Sequence, residues 1–156
     1  MNDIYRIITG EAPEMMKSTQ ELLDLMESSS DYMTYLASNR DSIASEHMKP
    51  DRVLNVLLDE KHLKKSDVIA RSGVENHYAY QIFSGAKVPS RDKLLMLCFG
   101  FQTTPDETQR ILRLTGYLPL YGNNLRDNVI LFGLTKHLSV ISVNDMLYTL
   151  GETLLL

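Results

Sequence analysis

The side chains best suited to metal binding or nucleophilic chemistry in this 156-residue chain are four histidines and a single cysteine, Cys98. The histidines are His47, His62, His77 and His137. Zinc sites use Cys and His ligands at short, recurring spacings, and none of these histidines has a Cys or His neighbour at such a spacing. The sequence therefore predicts no metal site and no cofactor, and one cysteine excludes an internal disulfide.

Catalytic chemistry has little support in the remaining polar residues. Glu107 with Asp127, or His137 with Asp145, could pair as acid and base, but an active site also needs a nucleophile beside a base or a phosphate-binding loop. The chain lacks the motifs G-x-G-x-x-G, G-K-[ST], H-E-x-x-H and G-x-S-x-G. We therefore expect a protein that is not an enzyme.

The charge of the chain is unevenly distributed. The net charge is −4, which argues against a polycation that coats nucleic acid over its whole surface. Residues 1–49 hold 4 basic and 9 acidic side chains, residues 50–101 hold 8 and 6, and residues 102–156 hold 4 and 5. The acidity is thus mainly N-terminal, and only the middle third is basic.

The elements that must position these residues are helices. Apolar residues recur at helical spacing throughout, strand signals are nearly absent, and the 44% apolar content can fill a core. Thr104, Pro105 and Glu107 form a strong helix start with a capping box. The sequence predicts an all-α fold of eight or nine short helices, over residues 14–27, 31–36, 50–62, 64–72, 75–84, 91–99, 104–116, 125–137 and 143–150.

Membrane and export signals are missing from the sequence. No window approaches the roughly 18 uncharged apolar residues that cross a bilayer. The N-terminus carries an acid early and has no long apolar stretch, unlike a signal peptide. Because a lone cysteine also suits a reducing compartment, we expect a cytoplasmic protein with no membrane partner.

Two helices in the middle third have the arrangement of a helix-turn-helix. The first ends at Gly73, which permits the positive backbone angle of a sharp turn, and the second begins after about three residues. The apolar residues with the spacing to pack the two helices together are Val68, Val74, Ala79 and Ile82.

This passage resembles the lambda-repressor-like (XRE-type) helix-turn-helix family. The positions that match its pattern in register are Leu63, Val68, Gly73, Val74, Ile82, Gly85, Pro89, Ser90, Leu94 and Leu97. The resemblance covers about residues 51–115 and implies a five-helix DNA-binding domain with additional N- and C-terminal helices. We divide the chain into acidic N-terminal helices (1–49), a helix-turn-helix domain (50–116) and a C-terminal helical extension (117–156).

Four residues depart from the family pattern. Ile69 stands where the family usually has Ala at the crossing of the two helices, which predicts a looser or repacked crossing. Lys65 replaces the usual Gln, Ser72 replaces an apolar residue, and Phe83 replaces an acid. Together they indicate a divergent member.

The resemblance implies that the second helix of the motif enters the major groove of double-stranded DNA. Base-reading residues would be Asn76, His77, Tyr80 and Gln81, with Glu75 either beside them or capping the helix. The residues that would contact phosphates are Lys64, Lys65, Arg71, Lys87, Arg91 and Lys93.

The resemblance leaves several partners open. One module binds DNA weakly, so a homodimer is expected, with residues 129–134 and 143–156 as the first candidate interface and the acidic N-terminal helices as the second. Since the second helix lacks Lys and Arg, the alternative is a protein-interaction adaptor that has lost DNA binding, with a partner for the N-terminal helices. A third alternative is a small-molecule sensor with a pocket among the C-terminal helices.

Overall fold

The computed structural model describes residues 2–12, 17–43 and 47–156, and every regular element in these ranges is helical. A 3₁₀ turn at Arg40–Ser42 accompanies ten α-helices. The helices are α1 (Asp3–Thr9), α2 (Thr19–Ser28), α3 (Tyr32–Asn39), α4 (Pro50–Lys61), α5 (Lys65–Ser72), α6 (Asn76–Ser84), α7 (Arg91–Phe101), α8 (Pro105–Thr115), α9 (Leu125–Thr135) and α10 (Val140–Thr149). The predicted all-α class is confirmed.

Local capping signals account for most of the helix boundaries between α4 and α8. Ser90 accepts a hydrogen bond from the Lys93 amide at the start of α7. The predicted capping box of α8 is present, since Thr104 and Glu107 each accept a hydrogen bond from the other's backbone amide. These side chains satisfy amide donors that a helix N-terminus otherwise leaves unpaired.

One helix and several helix boundaries differ from the sequence predictions. Helix α1 was not predicted, although Ile4, Ile7 and Ile8 are buried and α1 packs against α4 and α8. Helix α9 ends at Thr135, because His137 has a positive φ of 53°. Helix α10 begins at Val140, because Ser139 caps it by accepting the Ser142 amide.

Helix α2 is shorter than predicted. It begins at Thr19 because Ser18 and Glu21 form a capping box there. Met15 and Met16, which the sequence places on this helix, lie outside the described residues. None of the ten residues of α2, all of them described, is buried.

Helix α7 is the centre of the core. Its residues 94–101 are all buried, and α5 crosses it closely at Gly100. A Cβ added to Gly100 would clash with the carbonyl oxygen of Val68 and lie 3.2 Å from Ser72 Cβ. The hydrophobic cluster built around α7 extends from Ile4 in α1 to Leu155 after α10. No helix among the described residues is long and apolar enough to cross a bilayer.

Candidate nucleic-acid interface

Helices α5 and α6 are joined by a short turn at the place where the sequence predicts one. Helix α5 ends at Gly73 with φ of 73°, in the left-handed region that favours glycine, and α6 begins after residues 73–75. The four residues expected to pack the helices together are buried to 5% exposure or less: they are Val68, Val74, Ala79 and Ile82. The packing of the two helices follows from these apolar contacts.

Ser72 has a structural role that the sequence pattern did not indicate. This buried residue stands where an apolar residue was expected, and its hydroxyl donates to the carbonyl of Ile69 at 2.7 Å. The same oxygen accepts the amide of Val74 at 3.1 Å. Ser72 thereby satisfies a buried backbone donor inside the sharp turn, where a missing partner would be costly.

Two more residues that depart from the family pattern, Ile69 and Phe83, are apolar and lie inside the core. Ile69 and Phe83 are each 2% exposed. The ring of Phe83 lies 6.2 Å from the ring of Phe101, centroid to centroid, in a tilted arrangement. These side chains therefore stabilise the contact of the motif with α7.

Glu75 caps α6. Its carboxylate accepts the amides of His77 at 2.9 Å and Tyr78 at 2.7 Å. These two hydrogen bonds lower the pKa of Glu75 below its ordinary value, because they favour the charged form. Of the two roles left open for Glu75, the structure gives it the cap.

The polar face of α6 is open to solvent in the described part of the chain. Asn76, His77 and Tyr80 are exposed and Gln81 is half-buried. Their spacing along the helix puts them on the side opposite the buried Ile82. The four residues predicted from the sequence therefore form one accessible surface, which we call the α6 face.

Lysines border the α6 face on several sides. The ammonium of Lys65 lies 6.0 Å from the ring centroid of Tyr80, and that of Lys93 lies 5.8 Å from the ring centroid of Tyr78. The backbone amide of Lys87 donates to the carbonyl of Gln81 at 3.1 Å. Lys64 is exposed at the position before α5. Positive charge therefore lies beside a neutral polar helix.

The two predicted phosphate-binding arginines have further contacts. Arg71 is exposed, and its Nε donates to the carbonyl of Gly100 at 3.0 Å. Arg91 donates to the carbonyls of Leu118 and Pro119 at 2.9 and 2.8 Å and to both carboxylate oxygens of Asp127. Because its guanidinium is occupied on all sides, we leave Arg91 out of the proposed phosphate set.

Two of the residues that could have suggested catalysis, Glu107 and Asp127, have structural partners. The carboxylate of Glu107 accepts the Thr104 amide in the capping box of α8 and pairs with Lys61 at 3.3 Å. Asp127 pairs with Arg91. Burial raises the pKa of the Cys98 thiol to about 12. Among the described residues, no group of three or more His, Cys, Asp or Glu side chains is placed to hold a metal ion.

Comparison with known proteins adds no family assignment to this geometry. No family model matches the chain, and no curated protein or solved structure is significantly similar to it.

Proposed function

We propose that this protein is a sequence-specific DNA-binding transcriptional regulator that inserts α6 into the major groove. The observation that carries the proposal is the exposed α6 face with lysines on its borders. Major-groove recognition requires an accessible helix with hydrogen-bonding side chains toward the bases and cations toward the phosphates.

The proposed contacts follow from the chemistry of each side chain. Asn76 and Gln81 carry amides that can pair bidentately with adenine, and His77 can donate to guanine or to a phosphate. Tyr80 completes the base-facing set. The phosphates would be contacted by Lys64, Lys65, Arg71, Lys87 and Lys93.

The arrangement of the domain is part of the same proposal. Five helices, α4 to α8, occupy residues 50–115, the number and the region that the resemblance to the lambda-repressor-like (XRE-type) family implies. Asn55 supports the motif from α4 by donating to the carbonyl of Phe83 at 2.9 Å. We infer a divergent, cytoplasmic member of that family.

A homodimer is the proposed binding form, because one module with few phosphate contacts binds weakly. Apolar side chains on α9 and α10 offer a surface for it. They are 50–78% exposed, a high value for large apolar groups, and include Phe132, Ile141 and Tyr148.

Selection from a random duplex library at low salt tests this function. We expect one enriched sequence, whose affinity falls steeply with salt because counterions are released on binding. The double variant Asn76→Ala, Gln81→Ala should lose the preference for that sequence. Gln20→Ala removes a similar amide from the exposed surface of α2 and serves as the control. Failure to enrich any sequence, or a double variant that selects as the wild type does, would contradict the proposal.

A specific observation favours a second candidate, a protein-interaction adaptor. Leu23, Met26, Tyr32 and Met33 on α2 and α3 are 46–69% exposed, and acidic residues accompany them on α2. Such a surface fits a partner with an apolar groove and a basic rim. The adaptor is favoured if the library enriches no sequence.

A further inference from the structure

We propose that a cleft behind the helix-turn-helix binds a small organic anion with an apolar body. The cleft lies between the turn of the motif, helix α7 and the segment that joins α9 to α10, and its volume is about 630 Å³. Sites for small molecules usually fall between roughly 300 and 1,000 Å³ and are mostly apolar with a few polar groups. This cleft has that size and composition.

The walls of the cleft are apolar. Met96 and Phe99 contribute from α7, Leu134 and Val140 from the ends of α9 and α10, and Leu155 from the C-terminal segment. The amide of Asn144 holds that segment in place, since it donates to the carbonyl of Leu155 at 2.9 Å and accepts its backbone amide at 2.7 Å. An apolar ligand body would be removed from water here, which is favourable.

The polar groups of the cleft favour an anion. The cationic side chains of Arg71 and Lys93 line it, and the Nε hydrogen bond to Gly100 anchors the Arg71 guanidinium. Among the lining side chains, all within the described residues, Glu75 carries the one carboxylate. Both oxygens of Glu75 already accept amides of α6. Two cationic side chains therefore accompany one carboxylate whose oxygens are already occupied, and an acidic headgroup can form charge-assisted hydrogen bonds with Arg71 and Lys93.

A tryptophan reporter makes binding measurable. The chain has no tryptophan, and Ile141 lines the cleft while remaining 75% exposed. The variant Ile141→Trp places a fluorophore there with little disturbance of the core. Tyr148→Trp, on the same helix and 78% exposed, is the matched control because residue 148 is not part of the cleft lining.

The probes are decanoate, decyl phosphate, decanol and decylammonium, which share one tail and differ in headgroup. We expect a saturable emission shift with an anion in Ile141→Trp and none in Tyr148→Trp. At least one anion should bind tenfold or more tightly than decanol, and decylammonium more weakly. Whichever of decanoate and decyl phosphate binds more tightly shows whether the cleft prefers a carboxylate or a phosphate headgroup.

The charge of Lys93 is tested in the Ile141→Trp background. Lys93→Met should reduce anion affinity several-fold towards that of decanol, because Arg71 remains, and it should leave decanol binding unchanged, which reports that the apolar walls are intact. Calorimetric titration of the unsubstituted chain repeats the comparison without the reporter. The proposal is overturned if the anions and decanol bind equally, if Tyr148→Trp responds equally, or if nothing saturates. The titrations contain no DNA, so they test the cleft separately from base reading by α6, although Arg71 and Lys93 belong to both proposed sites.

Discussion

Arg91 and Asp127 form a bidentate ion pair that joins the first turn of α7 to the first turn of α9, with nitrogen–oxygen distances of 3.3 and 3.1 Å. The neighbouring residues make the reverse pair, because Arg126 on α9 binds Asp92 on α7 at 3.1 and 2.8 Å. Arg126 also donates to the carbonyls of Thr153 and Leu154. The first turns of α7 and α9 are therefore joined by two reciprocal ion pairs.

Loss of the Arg91 guanidinium should destabilise the fold. The side chain of Asp127 is only 9% exposed, so Arg91→Met leaves its charge partly buried and unpaired, at a cost of about 3 kcal/mol. Urea denaturation measures this loss. Arg6→Met is the control, because Arg6 pairs at the surface with an Asp3 side chain that is 93% exposed and such pairs contribute little. Equal stability of the two variants would contradict this role of Arg91.

The close crossing of α5 and α7 should not tolerate a side chain at Gly100. Gly100→Ala forces the new Cβ against the carbonyl of Val68, and overpacking of this kind costs about 1–3 kcal/mol. Chemical denaturation of Gly122→Ala provides the comparison, because a Cβ there meets nothing within 4 Å. A Gly100→Ala variant as stable as Gly122→Ala would show that α5 can move away from α7 freely.

Much of the fold follows from local sequence signals. Caps such as Ser90 and the Thr104–Glu107 box act within one helical turn, so their residue types reveal the helix starts directly. Helix α1 was missed because its seven residues are a short pattern whose stability comes from packing on α4 and α8. The start of α10 was misplaced because Ser139 and Ser142 are both good N-cap residues, and the sequence does not show which of them caps the helix.

The candidate site was only partly accessible from the sequence. The α6 face follows from helical spacing, because exposed and buried positions alternate with a fixed period. Arg91 forms an ion pair with Asp127, which is 36 residues away in the sequence. The residues next to Arg91 therefore did not indicate that its guanidinium is unavailable to DNA. The cleft could not be predicted for the same reason, since its walls come from segments as far apart as Ala70 and Leu156.

Cys98 should be unreactive in the folded protein. Because burial raises the pKa of its thiol to about 12, thiolate is scarce at pH 8 and the side chain is inaccessible. We expect no reaction with a disulfide reagent in buffer and complete reaction in denaturing urea. Rapid labelling of the native chain would mean that α7 opens locally.

The same thiol predicts a pH dependence of stability. Above about pH 9, the ordinary pKa of the thiol, the unfolded chain loses a proton that the folded chain retains. Stability should therefore fall as pH rises, by up to about 1.4 kcal/mol per pH unit. The fall should be shallower in Cys98→Ala, as measured by urea denaturation from pH 8 to 10.5. Identical slopes for the two proteins would contradict the raised pKa.

Removal of the Glu75 cap should loosen the first turn of α6. The folded pKa of Glu75 lies below its ordinary 4.5, so the stabilisation is present above pH 4.5 and is lost as pH falls through that lowered value. In Glu75→Ala, the amides of His77 and Tyr78 should lose hydrogen-exchange protection. Glu27→Gln removes an exposed carboxylate from α2 and should leave both amides unchanged. Full protection in Glu75→Ala would mean that the cap is dispensable.

Mapping of amide chemical shifts during titration with the selected duplex tests directly whether α6 contacts DNA. The central claim is that α6 reads DNA, so the largest changes should fall on residues 76–87 and on Lys64 and Lys65, and Asn76→Ala should reduce them. Changes confined to α2 and α3 or to α9 and α10, with α6 unaffected, would contradict that claim.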